Sequence, residues 1–237
     1  MAGLDPTDWH GIREIGHRML DEVFDRMEHV GEGPVWRPMP PAARQSLKEG
    51  LPEKGHSLAD LYGRYQELVV PYGVGNTHPG FMGWVHGAGT PVGMLAEMLA
   101  GGLNANCGGR DHAPIEVERE VIRWALQMVG MPQDGSGCLV TGSSMANFIS
   151  VITASRAQDL AIRKDGIGGR GLVGYAATTA HGCLPRAFDL AGLGSEALRR
   201  VPVLADHRMD VGALSDMIAA DRKAGFVPFM VAGTAGT

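Results

Sequence analysis

The sequence predicts an α/β protein: an N-terminal helical segment followed by a mostly parallel sheet flanked by helices. Three observations predict it. From residue 138 onward, short apolar runs alternate with helix-like segments, the rhythm of successive β–α–β units. Before that point, apolar residues recur at intervals of three and four, the period of a helix. Glycine is abundant, 35 of 237 residues, and many glycines sit at segment junctions, as expected where tight turns surround a ligand.

The elements follow in order. Residues 8–30 read as a helix, with Ile12, Ile15, Met19, Val23 and Met27 on one face and charges between them. Gly31-Glu32-Gly33-Pro34 ends it, and residues 35–41, with three prolines, are expected to be extended. A second helix starts at Ser57, with Asp60 as capping-box partner and Leu58, Leu61, Tyr62, Tyr65 and Leu68 as its apolar face. Residues 71–89 form a long irregular loop, and loops of that length in compact domains usually have a function. Thr90-Pro91 is an N-cap followed by proline at the first helical position, and this helix runs to 103. Another helix spans 114–129, stopped by Gly130 and Pro132. The expected strands are 139–141, 172–176, 200–204 and 227–232. The helices between them are 144–162, 184–190 and 211–223, the last capped by Asp210.

Composition excludes several classes of function. The chain has 21 Lys and Arg against 26 Asp and Glu, a net charge of −5, and no basic run. Nucleic acid is therefore not an expected partner. No apolar stretch approaches the roughly 20 residues that span a bilayer, so no membrane partner is expected. Met1-Ala2-Gly3-Leu4-Asp5-Pro6 lacks the basic-then-apolar order of a secretory signal. Cys107, Cys138 and Cys183 are widely spaced, which argues against a disulfide framework and for a reducing, cytoplasmic setting. Cys107, Asp111 and His112 match no strong zinc spacing, so no metal is expected. Glu116 and Glu118, two apart on a helix, point in different directions and are not a catalytic carboxylate pair.

The stretch that carries chemistry is Cys138-Leu139-Val140-Thr141-Gly142-Ser143-Ser144-Met145-Ala146-Asn147. An apolar run breaks at Thr-Gly-Ser-Ser and continues as a helix. By itself this is an ordinary strand–turn–helix with a serine cap. It is also a geometry that aims backbone N–H groups, two hydroxyls and the positive end of a helix at one place, which suits a phosphate. The next apolar run leads through Thr178-Thr179-Ala180 to His181. In an open α/β sheet both would lie at the carboxyl ends of strands, where ligands bind.

These motifs do not stand alone. His78-Pro79-Gly80-Phe81, then Pro91 to Leu99 (Pro-Val-Gly-Met-Leu-Ala-Glu-Met-Leu), then Pro114-Ile115-Glu116-Val117-Glu118 precede them. Trp124 and Gly130-Met131-Pro132 lie between, and Arg208-Met209-Asp210 and Gly233-Thr234-Ala235-Gly236-Thr237 follow. In order and spacing, from about residue 10 to the last, the chain resembles the group II pyridoxal-phosphate-dependent decarboxylases, the family of aromatic-L-amino-acid decarboxylase. The resemblance implies part of a fold-type-I large domain over residues 90–237, preceded by a helical, dimer-forming segment with a substrate loop over 1–89. It implies pyridoxal 5'-phosphate as cofactor, an L-amino acid as substrate and a homodimer. Carried over by position, Ser143 and Ser144 hold the cofactor phosphate. His181 stacks on the pyridine ring and shuttles a proton, and Trp84, Val85 and His86 face the substrate side chain. Gly142-Ser143 stands where the family often has two glycines, a small departure because serine donates as well. Residues 104–112 belong, in relatives, to the dimer interface and reach the partner's active site.

The family's chemistry also needs a Schiff-base lysine and an aspartate bound to the pyridine nitrogen. Neither family motif occurs here; the lysines are Lys48, Lys54, Lys164 and Lys223. The expectation is an N-terminal portion of a longer decarboxylase, inactive alone, since a domain ending on an apolar strand would leave an open sheet edge. The alternatives are another activity of the same fold (aldehyde synthase, transaminase, carbon–sulfur lyase) or a non-catalytic module that binds phosphate or a partner subunit.

Overall fold

The structure is a computed structural model that describes residues 5–85, 87–109 and 111–235. It divides into two compact units, Met1–Asn106 and Cys107–Thr237.

The first unit is helical among its described residues. Helix α1, Trp9–Glu28, is capped by Asp8, whose carboxylate accepts the Gly11 N–H at 2.9 Å. Helix α2, Pro41–Ser46, begins where extended chain was expected to end: Pro41 is its first residue, the place where a missing N–H does no harm. Helix α3, Leu58–Leu68, has the expected cap, with Ser57 Oγ accepting the Asp60 N–H at 3.1 Å and donating to the Asp60 carboxylate at 2.6 Å. Helices α1 and α3 are tied by a polar cluster: the buried Tyr62 hydroxyl and the Gln66 amide both donate to the Glu22 carboxylate. A 3₁₀ turn, Val70–Tyr72, opens the long loop. Helix α4, Pro91–Leu103, starts on Thr90, whose hydroxyl oxygen accepts the Gly93 N–H at 3.0 Å.

The second unit holds the sheet. Helix α5, Ala113–Met128, is followed by turns and irregular chain and then by α6, Ser143–Gln158, and the short α7, Ile162–Asp165. Strand β1, Leu172–Ala177, leads into α8, Cys183–Leu190; β2, Leu198–Val201, into α9, Val211–Lys223; and β3, Val227–Ala232, comes last. Among the described residues the sheet has the order β2–β1–β3, and both pairings are parallel. The β1–β3 register shifts between Val173 and Gly174, opposite Pro228, which has no N–H to give the ladder.

All six residues of β1 are buried, as a central parallel strand covered on both faces requires. Ala176 packs with Val151 of α6 and with Cys183, Leu184, Ala187 and Phe188 of α8. Val173 and Tyr175 face the other way, against Leu214, Met217 and Ile218 of α9. Gly174 is required by the first face: a Cβ there would lie 2.6 Å from Phe188 Cζ and 2.9 Å from Met230 Cγ. The Tyr175 hydroxyl donates to Asp221 Oδ2 at 2.8 Å, and Arg199 pairs with the same carboxylate at 3.2 Å.

Three sequence expectations are corrected. Residues 139–141 are not a strand; Leu139 is exposed, and its N–H donates to the Glu118 carboxylate at 3.0 Å rather than to a neighbouring strand. The helix expected over 144–162 breaks at Asp159, whose carboxylate accepts the Ala161 N–H at 2.9 Å and pairs with Arg170 at 2.6 Å; a short side chain competes there with the helical backbone. The strand expected over 200–204 lies at Leu198–Val201, because Pro202 cannot donate to the ladder.

Candidate functional site

Helix α6 opens on Gly142, which takes φ 89° and ψ 159°, a region closed to residues with a Cβ. That conformation turns the chain sharply into the helix and leaves its first turn uncapped: no side chain bonds its N-terminal N–H groups. The Met145 and Ala146 N–H groups bond back to the Gly142 carbonyl. The N–H groups and hydroxyls of Ser143 and Ser144 make no hydrogen bond among the described residues, and both serines are exposed. The aligned peptides of a 16-residue helix place about half a positive charge at this end.

His181 follows the carboxyl end of β1. The turn between them is closed by the Thr178 N–H on the Val201 carbonyl at 2.9 Å and the Ala180 N–H on the Ala177 carbonyl at 3.0 Å. The imidazole Nδ1 accepts the Cys183 N–H at 3.1 Å. In the neutral ring the proton therefore sits on Nε2, and the ring is held at the exposed start of α8.

The structure brings the two serines and His181 to the same end of the second unit. Helices α6 and α8 pack side by side on one face of the sheet. Their first turns are joined by Asn147, whose Nδ2 donates to the Ser143 carbonyl at 2.9 Å and to Cys183 Sγ at 3.4 Å. Sequence reasoning missed Asn147. The available signal was an asparagine inside a helix, a position that residue disfavours without a specific bond.

This donor set fits the phosphate and ring of a pyridoxal cofactor. It offers two amides, two hydroxyls and a helix N-terminus for an anion, with a flat imidazole at the adjacent strand end. Two cavities in the same unit lie elsewhere. One, of about 610 Å³, is lined by Ile115, Glu118, Arg119, Ile122 and Gln133. The other, of about 810 Å³, lies between Cys138, Val140 and the Ala146, Ile149 and Thr153 face of α6. Neither includes Ser143, Ser144 or His181.

The substrate-loop residues belong to the first unit. Trp84 stands edge-on to Phe81, ring centroids 5.4 Å apart at 87°, and Val85 is fully exposed. His86 lies outside the described residues, as does Arg110 of the 104–112 segment. Among the described residues no cluster of His, Cys, Asp and Glu could hold a metal ion, and no helix is long and apolar enough to cross a membrane.

Comparison with known proteins adds to this geometry. A family model described as the pyridoxal-dependent decarboxylase conserved domain matches residues 40–237. The aromatic-L-amino-acid decarboxylase of Bacillus atrophaeus is 29% identical over 95% of this chain and 46% of its own length. The phenylacetaldehyde synthase of Arabidopsis thaliana is 25% identical over 99% of this chain and 50% of its own. The crystal structure of Oryza sativa TDC with PLP superposes with a TM-score of 0.85 at 23% identity, over 99% of this chain and 53% of that one, a likeness of fold. The chain thus spans about half the length of the curated relatives it matches.

Proposed function

The chain belongs to the pyridoxal-dependent decarboxylase family, and we propose that it is the N-terminal part of an enzyme that removes carbon dioxide from an aromatic L-amino acid using pyridoxal 5'-phosphate. The observation that carries the reading is the uncapped N-terminus of α6, with Ser143 and Ser144 uncommitted, beside His181 at the carboxyl end of β1. When bound, the cofactor supplies an electron sink for the pair left by the departing carboxylate.

The chain's own residues do the rest. Ser143 and Ser144 would hold the phosphate through amide and hydroxyl donors, and the α6 dipole would favour its charge. His181 would stack its imidazole on the pyridine ring of a bound cofactor, with Nε2–H as the proton-bearing atom it would offer the substrate. Trp84, Val85 and His86 would meet the substrate side chain on this reading, and the Phe81–Trp84 pair supports an aromatic one. Lys48, Lys54, Lys164 and Lys223 are all exposed, which supports a Schiff-base lysine other than these four. A homodimer is part of the proposal, supported by the apolar surface that α4 exposes at Val92, Met98, Leu99 and Leu103.

The test is a product assay on the native enzyme with a panel of L-amino acids. Equal yields of amine and carbon dioxide from aromatic substrates, dependent on added pyridoxal 5'-phosphate, are expected. No release from any amino acid refutes the reading. The Arabidopsis relative favours a second reading, oxidative aldehyde synthesis, in which dioxygen is reduced to hydrogen peroxide and the same assay yields aldehyde and ammonia beside carbon dioxide.

A further inference from the structure

We propose that Asn147 is a positioning residue that couples the phosphate-binding turn to the ring of His181, acting through Cys183. This inference rests on the reading of Ser143, Ser144 and His181 as the cofactor residues. Four groups stand in series. The Ser143 carbonyl accepts from Asn147 Nδ2 at 2.9 Å, and the same nitrogen donates to Cys183 Sγ at 3.4 Å. The Cys183 N–H then donates to His181 Nδ1 at 3.1 Å. One planar amide thus spans the first turns of two helices, and each end of the series belongs to a residue assigned to the cofactor.

The chemistry of each link explains the residue type. Asparagine supplies two protons from one nitrogen, one for each helix. A leucine of similar size supplies none, and an aspartate would set a carboxylate against the Ser143 carbonyl. Cys183 is 5% exposed and packs in the apolar cluster with Val151 and Ala187, and Asn147 gives its sulfur a polar contact there. A thiol is a weak acceptor. The bond therefore matters less for its strength than for fixing the first residue of α8, whose N–H orients the imidazole. The result is one tautomer, with Nδ1 occupied as acceptor and Nε2–H presented outward. If the α6 and α8 first turns shift against each other, the ring loses its orientation relative to the phosphate turn, and the proton moves with it.

The test uses the native full chain and the variants Asn147→Leu, Cys183→Ala, the double variant and Cys183→Ser, which keeps an acceptor. In the absence of cofactor, ¹⁵N NMR of histidine-labelled protein reads the His181 tautomer directly. The wild type and Cys183→Ser are expected to show Nε2 protonated, while Asn147→Leu and Cys183→Ala show a mixture. With cofactor, Asn147→Leu should lower kcat about ten- to hundredfold, the scale of a misplaced reacting group, with KM changed far less. In a Cys183→Ala background the same substitution should have little further effect, because the link is already broken. An unchanged His181 tautomer in Asn147→Leu, or kcat losses that multiply in the double variant, overturns the proposal. If Asn147→Leu does not fold, Cys183→Ala carries the tautomer test alone. The underlying reading is checked separately: Ser143→Ala/Ser144→Ala must weaken cofactor binding. If it does not, the cofactor assignment falls; if it does while the tautomer is indifferent to Asn147, only the coupling falls.

Discussion

Gly174 offers a prediction in which two opposing effects can be weighed. Glycine inside a strand is less stable than alanine by about 0.5–1 kcal/mol, so propensity alone says that Gly174→Ala stabilises the protein. The packing says the opposite. The added Cβ would lie 2.6 Å from Phe188 Cζ and 2.9 Å from Met230 Cγ, and Phe188 is fully buried against Phe229 with no room to retreat. Overpacking of this kind costs about 1–3 kcal/mol. The clash outweighs the propensity gain, with a net loss of up to about 2.5 kcal/mol, and for a chain of this size each kcal/mol lowers the thermal midpoint by about 2–4 °C. Phe188→Leu removes the Cζ that the methyl would strike. Met230 Cγ still meets the methyl in that background, so Gly174→Ala should cost clearly less than in the wild type, a dependence on Phe188 that no propensity argument produces. The assay is thermal unfolding of the four proteins by circular dichroism. An unchanged or raised midpoint for Gly174→Ala in the wild-type background refutes the packing argument, as does the same effect in both backgrounds.

Other expectations follow from single residues. Tyr175→Phe removes a hydrogen bond to a charged partner and should cost about 1.5–3 kcal/mol in urea unfolding. Burial and then Asp221 raise the Tyr175 pKa above its ordinary value of about 10. The folded state therefore holds this proton to higher pH than the unfolded chain does. Its contribution is whole below about pH 10 and is lost as pH rises toward the folded pKa, and the phenylalanine variant should lose less stability above pH 10 than the wild type. Gly142→Ala, forced at φ 89°, should cost about 1–3 kcal/mol and weaken pyridoxal phosphate binding, read by melting and by cofactor absorbance. Asp210→Ala removes the carboxylate that accepts the Ala213 N–H at 3.0 Å and should lower stability by about 0.5–2 kcal/mol without changing cofactor affinity.

What the sequence made legible was what neighbours in the chain decide. Ser57, Thr90 and Asp210 cap their helices as their local patterns require, and the apolar runs at Leu172–Ala177 and Val227–Ala232 form parallel strands. Strand 139–141 failed because a strand needs a distant partner, and periodicity says nothing of partners. The break at Asp159 failed because its carboxylate chose Arg170, eleven residues away, over the helix. In the site, Ser143, Ser144 and His181 stood out by residue type and position. The tautomer of His181 and the role of Asn147 did not, since both depend on the contact between Asn147 and Cys183, 36 residues apart.

The proposed decarboxylase requires this protein to hold pyridoxal phosphate on a lysine. The most direct test treats the natively expressed protein with the cofactor and borohydride and maps the modified peptide by mass. One reduced cofactor is expected, on a lysine other than Lys48, Lys54, Lys164 and Lys223. No adduct, or an adduct on one of those four exposed lysines, would contradict it.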